Sequence, residues 1–200
     1  MENILKEQLK DEIILLFREA YFAKAQYFLL YKIYEENLLN NKNNPKYLFA
    51  TTFDALEFSV LLKLTKIYDT DPRRQSITLI KILSKVQSNK ELNNDNGVIK
   101  KYVDDILTEL NNKKIEINKI KTCRDKVVSH MDKNYRLGLL SLKCNEQITF
   151  DLLKEYSDYA YNILKKLYEL VYNEVLLDSK QFEILELEYE TIHNKLKVKD

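Results

Sequence analysis

The chain carries at residues 149–175 the stretch TFDLLKEYSDYAYNILKKLYELVYNEV, and this stretch decides the fold class. It contains neither glycine nor proline, and its apolar side chains recur every three or four positions, which is the period of an α-helix with one buried face. A threonine directly before such a stripe is a typical helix N-cap. We therefore expect Thr149 to cap a long helix that runs to about Val175. The stripe consists of Leu153, Tyr156, Ala160, Ile163, Leu167, Leu170 and Val171.

The same helical period extends outward over most of the chain. Only 2 glycines and 2 prolines occur in 200 residues, which argues against sandwiches, barrels and propellers, because those folds need many tight turns. The sequence predicts an all-α helical bundle, with Ser76 as an N-cap and with Val98, Tyr102, Ile106 and Leu110 facing inward from one helix. A break of the first helix near Tyr21 stays open. The other expected helices span about 3–39, 47–68, 77–86, 98–110, 114–131 and 179–196.

The length of the chain, 200 residues and 23.9 kDa, predicts one domain with at most an appendage. We place the bundle domain at residues 1–177 and a C-terminal helical tail of mixed charge at 178–200. His193 lies on that tail and receives no role.

Composition excludes several classes of protein. Charged residues make up 32% and hydrophobic residues 45%, which fits neither a disordered chain nor a membrane protein. The N-terminal residues have no sustained apolar core, so we expect no signal peptide, and no apolar run approaches the ~20 residues that span a bilayer. Cys123 and Cys144 form no C-x-x-C pair and are expected to be free thiols. These features predict a cytoplasmic protein.

One segment, residues 113–136, carries an excess of positive charge. It holds eight basic and three acidic side chains, although the net charge of the chain is +1. A helical wheel places Arg124 in the middle of an apolar stripe, with His130 and Asp125 on its two flanks. A guanidinium there needs a partner. It is paired, it faces a partner, or it lines a cavity; the candidates for pairing are carboxylates of another helix, such as Asp54, Glu57 and Asp69.

Residues 124–133, RDKVVSHMDK, resemble the signature of the HEPN superfamily, which is an arginine, a polar residue and, a few residues later, a histidine. Asp125 takes the polar place, and five residues separate Arg124 from His130. The Ser-His-Met-Asp-Lys run is similar to the abortive-infection AbiU-type branch. So is the upstream pattern, in which a helix ends in an acidic residue at Asp69 and a serine-capped helix follows. The resemblance covers roughly residues 1–175.

The resemblance implies a HEPN-like bundle, commonly homodimeric, and a metal-independent endoribonuclease of phage defence, abortive infection or a toxin–antitoxin system. His130 would move protons, Arg124 would hold the scissile phosphate, and Asp125 would orient one of them. RNA would be the substrate, no metal or other cofactor would be needed, and an antitoxin or another protein would be a further partner. The backbone phosphates would be contacted by Lys121, Lys126 and Lys133.

Two alternatives stay open. Many members of the superfamily keep the fold without demonstrable cleavage, so the chain would then be a non-catalytic HEPN module that binds nucleic acid or a partner protein. In the other alternative the bundle is unrelated to the superfamily, and the match of the motif is chance.

Overall fold

The structure is a computed structural model, and it describes residues 2–36, 39, 46–71, 76–89, 92, 97–131, 148–176, 184, 187, 188 and 191. Within these residues the side chains of 2–5, 46 and 126–131 are not described. The helices of the described part are α1 (Glu2–Glu35), α2 (Lys46–Ile67), α3 (Leu79–Ser88), α4 (Val98–Asn112), α5 (Lys114–Met131) and α6 (Phe150–Tyr172).

The first two helices form an antiparallel hairpin. The Ser59 hydroxyl of α2 donates to the Gln26 side chain of α1 at 2.8 Å. Further along α2, Lys63 and Lys66 both pair with Glu19 of α1, at 2.8 and 2.7 Å. Since the residue numbers rise on one helix as they fall on the other, the two helices run in opposite directions.

Helix α6 lies antiparallel along the same first helix. Lys24 pairs with Asp158 at 2.9 Å, and the Phe17 ring lies 5.3 Å from the Tyr161 ring. At the far end of the two helices, Lys10 pairs with Glu174 at 2.9 Å. α1 is therefore the central element that both α2 and α6 cover.

The main core is an apolar cluster with members from all the helices listed above, and Ile33 and Phe49 form a second, smaller cluster. The largest fully buried side chains of the described residues are Tyr156, Ile13, Leu16, Leu30, Leu61, Leu64, Ile67, Leu79, Ile82, Leu83, Ile120 and Leu164. Tyr68 ties two of the helices together, because its buried hydroxyl donates to the carbonyl of Tyr156 at 2.7 Å. The all-α bundle that the sequence predicts is confirmed.

The cap of the long sixth helix is also confirmed. The Thr149 hydroxyl accepts from the backbone N–H of Leu152 at 3.1 Å, which satisfies one of the unpaired donors of the first turn. The helix ends at Asn173, which adopts a left-handed conformation with φ 52°, a backbone region that asparagine tolerates better than most residues.

Two expectations about the shorter helices are wrong. The N-cap of α3 is Thr78, whose side chain accepts from the backbone N–H of Lys81, whereas the Ser76 hydroxyl has no hydrogen-bond partner in the described structure. In α4 the buried positions are Ile99, Val103, Ile106 and Leu110, and Val98 is 55% exposed. The buried positions of α4 lie on one helical face that includes Ile99 and excludes Val98.

The remaining predictions about organisation have mixed outcomes. α1 runs through Tyr21 without a break, and its buried face continues on both sides of that residue. Only residues 184, 187, 188 and 191 of the expected tail are described, so the division at 177/178 stays a prediction. Among the described residues, no helix is both long enough and apolar enough to cross a membrane.

Candidate active site

The helix that carries the sequence motif, α5, is fixed at its first residues by α6. Lys113 directly precedes α5, and its ammonium group pairs with Glu155 at 2.5 Å. The same ammonium lies over the rings of Tyr156 and Tyr159, 5.6 and 5.4 Å from their centroids. In addition, the Tyr156 hydroxyl donates to the Lys113 carbonyl at 3.4 Å. The start of α5 is therefore held by charge, ring and backbone contacts together.

A second anchor holds α5 one turn before Arg124. The Lys121 ammonium donates to the Thr70 hydroxyl at 3.2 Å and lies 3.8 Å from the Asp69 carboxylate. Asp69 is buried at the end of α2, and its carboxylate also accepts from the backbone N–H of Asp71 at 3.1 Å. Asp69 thus orders the turn after α2 and faces α5 at the same time. The sequence analysis considers Asp69 as a candidate partner for Arg124 and as the acidic end of a helix.

The buried face of α5 brings the arginine to the edge of the core. Ile117, Ile120 and Cys123 are buried, while the side chain of Arg124 is 18% exposed. The wheel predicts Arg124 at the centre of the stripe, but the burial of Cys123 turns the centre of the buried face away from it. The guanidinium is therefore partly covered and still reachable from solvent.

The partner of Arg124 is its neighbour along the chain. Its Nε donates to Oδ1 of Asp125 at 2.8 Å, and its Nη2 lies 2.5 Å from the same oxygen. Asp125 itself is 67% exposed. In the described part of the chain the guanidinium is thus paired by Asp125 and not by Asp54, Glu57 or Asp69. The pair uses Nε and one N–H of Nη2, and it leaves the N–H groups of Nη1 and the second N–H of Nη2 unused.

The other predicted site residues lie outside the description of side chains. The backbone of α5 continues to Met131, so Lys126 and His130 belong to the same helix as Arg124. Nothing further is described of these two side chains, and Lys133 lies outside the described residues. Their roles at the site stay predictions.

An acidic pair on α2 carries a perturbed carboxyl group that sequence reasoning considers only as a partner for Arg124. Burial, followed by the nearby charge of Asp54, raises the pKa of Glu57 from 4.5 to about 7. On the helical wheel Glu57 lies close to the buried positions Leu64 and Tyr68. An acidic residue on the buried side of an apolar helix is the signal that identifies such a group from sequence.

Among the described residues, no three histidine, cysteine or acidic side chains lie together in a group that could hold a metal ion. The charged groups around Arg124 on the described part of α5 are its own partly exposed guanidinium, the Asp125 carboxylate and, one turn earlier, the Lys121 ammonium. A guanidinium binds phosphate with two parallel hydrogen bonds, so this arrangement suits a phosphate ester.

Comparison with known proteins identifies the family to which the chain belongs. A family model of HEPN proteins, described as AbiU2, matches residues 6–193. No significant match occurs among the curated proteins or among the solved structures. The matched range includes all the helices from α2 to α6 and nearly all of α1, together with the segment of Arg124, Asp125 and His130. The chain therefore belongs to the AbiU2 family of HEPN proteins.

Proposed function

We propose that the protein is a metal-independent endoribonuclease of a bacterial defence or toxin–antitoxin system, with an active site that two copies of the chain complete. The observation that carries the proposal is the Arg124–Asp125 pair at the edge of the core. The carboxylate holds the guanidinium through Nε and Nη2, and the Arg124 side chain is still 18% exposed to solvent. Membership of the HEPN family supports the assignment, because many HEPN proteins cleave RNA.

The proposed reaction uses the RNA as its own nucleophile. The ribose 2′-hydroxyl attacks the adjacent phosphorus, the bond from phosphorus to the 5′-oxygen breaks, and a 2′,3′-cyclic phosphate and a 5′-hydroxyl result. His130 takes the proton of the 2′-hydroxyl or delivers one to the leaving oxygen, since the ordinary pKa of histidine lies near neutral pH. The reaction needs one proton acceptor for the 2′-hydroxyl and one proton donor for the leaving 5′-oxygen. The His130 residues of two copies would supply them.

Arg124 acts on the phosphate itself. One N–H of Nη1 and the second N–H of Nη2 bind the non-bridging oxygens of the phosphate. They stabilise the negative charge that grows on these oxygens in the transition state. Lys121, Lys126 and Lys133 contact neighbouring backbone phosphates without reading the base sequence. The nearly neutral chain would then attract RNA through a local basic segment and not through its net charge.

The test is a cleavage assay in the presence of a chelator. Wild-type protein and the Arg124→Ala, Arg124→Lys and His130→Ala variants are incubated with total RNA in EDTA, and the 3′ ends of the products are analysed. We expect cyclic phosphate ends from the wild type and a loss of rate of about 10²–10⁴-fold in the histidine variant. Arg124→Lys keeps the charge but loses the two-pronged geometry, so it should recover only a small part of the rate.

Lys114→Ala is the matched control, because Lys114 is an exposed cation on the same helix. Equal cleavage by the wild type and by the Arg124→Ala and His130→Ala variants would assign the activity to a contaminant and contradict the proposal. Loss of wild-type cleavage on addition of EDTA would contradict its metal independence. A wild type that binds RNA and leaves it intact would favour the non-catalytic alternative.

A further inference from the structure

Helix α2 presents an apolar stripe to solvent as well as to the core. Leu48 is 57% exposed and Leu62 is 39% exposed, and Ala55 lies exposed midway between them. Thr51 is exposed and Phe58 half-buried on the same face, so the stripe repeats at alternating steps of three and four residues. Such a 3–4 repeat is the pattern of a seam between two packed helices. A helix that is apolar on all sides normally has neighbours on all sides.

The outward stripe lies between two helices of the same chain. On one flank Ser59, Lys63 and Lys66 contact α1. On the other flank Asp69, at the end of α2, faces Lys121 of α5. The helix that carries Arg124 therefore borders the stripe. On the α1 side the apolar surface extends to Phe22, whose ring lies 5.5 Å from the Lys63 ammonium.

The stripe is symmetric about Ala55. Leu48 precedes Ala55 by seven residues, and Leu62 follows it by seven. If a second α2 lies antiparallel across Ala55, each Leu62 meets the second copy's Leu48, and the small Ala55 side chains meet at the centre. The exposed positions between the two leucines are neutral; they are Thr51, Thr52 and Ala55. A two-fold contact requires this kind of self-complementarity, because the same patch is used twice.

We propose that the outward stripe of α2 packs against the α2 of a second copy of this chain, with a two-fold axis at Ala55. α2 has 22 residues and is thus about 33 Å long. With half of each flanking helix the face is about 20 Å wide, or roughly 650 Å² per copy, which is near the lower end of specific interfaces. This inference deepens the proposed function, which needs a second copy but does not say which surface receives it.

The test measures association and needs no RNA. The molar mass of the wild type is followed by analytical ultracentrifugation over a range of concentrations, next to Ala55→Glu. The glutamates of Ala55→Glu would face each other across the axis, so we expect the dimer Kd to rise at least about 100-fold. Val98→Glu is the matched control, because Val98 is also exposed and belongs to another helix, α4. Circular dichroism checks that each variant is folded.

A cysteine variant decides the matter if Ala55→Glu does not fold. Under oxidation Ala55→Cys should form a covalent dimer, because residues at a close helix crossing lie within disulfide reach, whereas Val98→Cys should not. A wild type that stays monomeric at all concentrations overturns the inference, as does a dimer of unchanged affinity in Ala55→Glu. A dimer that cleaves no RNA contradicts only the endoribonuclease. An active wild-type monomer contradicts this interface and the two-copy site but leaves the endoribonuclease in place.

Discussion

Arg124 binds a single oxygen of Asp125 with two nitrogens, Nε at 2.8 Å and Nη2 at 2.5 Å. The two residues are adjacent on α5, so their side chains leave the helix about 100° apart and the guanidinium has to bend round to reach the carboxylate. Asp125 therefore fixes the direction of the guanidinium and also competes with any phosphate for its positive charge.

These two effects predict a split in the kinetics of Asp125→Ala. Without the competing carboxylate, Arg124 should bind RNA more tightly, so KM falls. The freed guanidinium is no longer held in one direction, so kcat falls about 10-fold or more, since positioning contributes strongly to such reactions. The measurement is steady-state cleavage of a short RNA. Asp105→Ala removes an exposed acid from α4 and should change neither constant, and an Asp125→Ala variant with unaltered kcat would show that the pair does not orient the arginine.

Tyr68 and Tyr156 give a test of how the bundle supports this helix. The Tyr68 hydroxyl is buried and donates to the Tyr156 carbonyl at 2.7 Å, whereas the Tyr156 hydroxyl reaches the Lys113 carbonyl only at 3.4 Å. Tyr68→Phe should therefore lower the free energy of unfolding by about 1 kcal/mol. Tyr156→Phe should lower it by less than half of that, because the longer bond is weaker.

Urea unfolding followed by circular dichroism measures both changes. Tyr31→Phe is the control, because Tyr31 is exposed at the surface. An equal loss in the two tyrosine variants would mean that the shorter hydrogen bond of Tyr68 stabilises the fold no more than the longer bond of Tyr156 does.

The sequence predicts the bundle because each helix buries one face. The residues of that face are apolar and recur every three or four positions, so the pattern can be read from the sequence. Thr149 and the stripe after it are an example, since both the cap and the buried face agree with the structure. Val98 shows the limit of the method. Val98 and Ile99 are both apolar, and the packing of α4 against the core buries Ile99 and leaves Val98 exposed.

The candidate site is less predictable than the fold, for a reason of geometry. A wheel places Arg124 by angle, but a long side chain reaches partners well away from its own Cβ. The wheel therefore suggests carboxylates of another helix, and the structure provides Asp125. In the same way, the approach of Asp69 to Lys121 joins residues far apart in the chain, and no local pattern encodes it.

The acidic pair on α2 predicts how stability depends on pH. The pKa of Glu57 is raised from 4.5 to about 7 by burial and by Asp54. Between these two values the folded state holds a proton that the unfolded state has lost, so the free energy of unfolding falls as pH rises through the window. The loss is about 3 kcal/mol at most and is complete above the folded pKa.

Glu57→Gln should remove this dependence. The variant should equal the wild type in stability near pH 4.5 and exceed it at pH 8, because glutamine carries no charge to bury. Urea unfolding at a series of pH values measures this, with Asp105→Asn as an exposed control. Parallel curves for the wild type and Glu57→Gln would show that Glu57 ionises as freely in the folded chain as in the unfolded one.

Of the three predicted phosphate contacts, Lys121 is the one whose side chain the structure describes. Two roles follow for it. It holds α5 to the turn after α2 through Thr70 and Asp69, and in the proposed function it also contacts RNA. A phosphate contact releases counterions. When log K for RNA binding is plotted against the logarithm of the salt concentration, the slope for Lys121→Ala should therefore be shallower than that of the wild type by about 0.7.

Asp69→Asn removes the competing carboxylate and should raise the affinity of Lys121 for RNA. Fluorescence anisotropy with a labelled RNA at several salt concentrations measures both, and Lys100→Ala, which removes an exposed cation of α4, is the control. If Lys121→Ala keeps the wild-type slope and only unfolds at lower urea, then Lys121 serves to hold α5 in place, and the phosphates are bound by other residues.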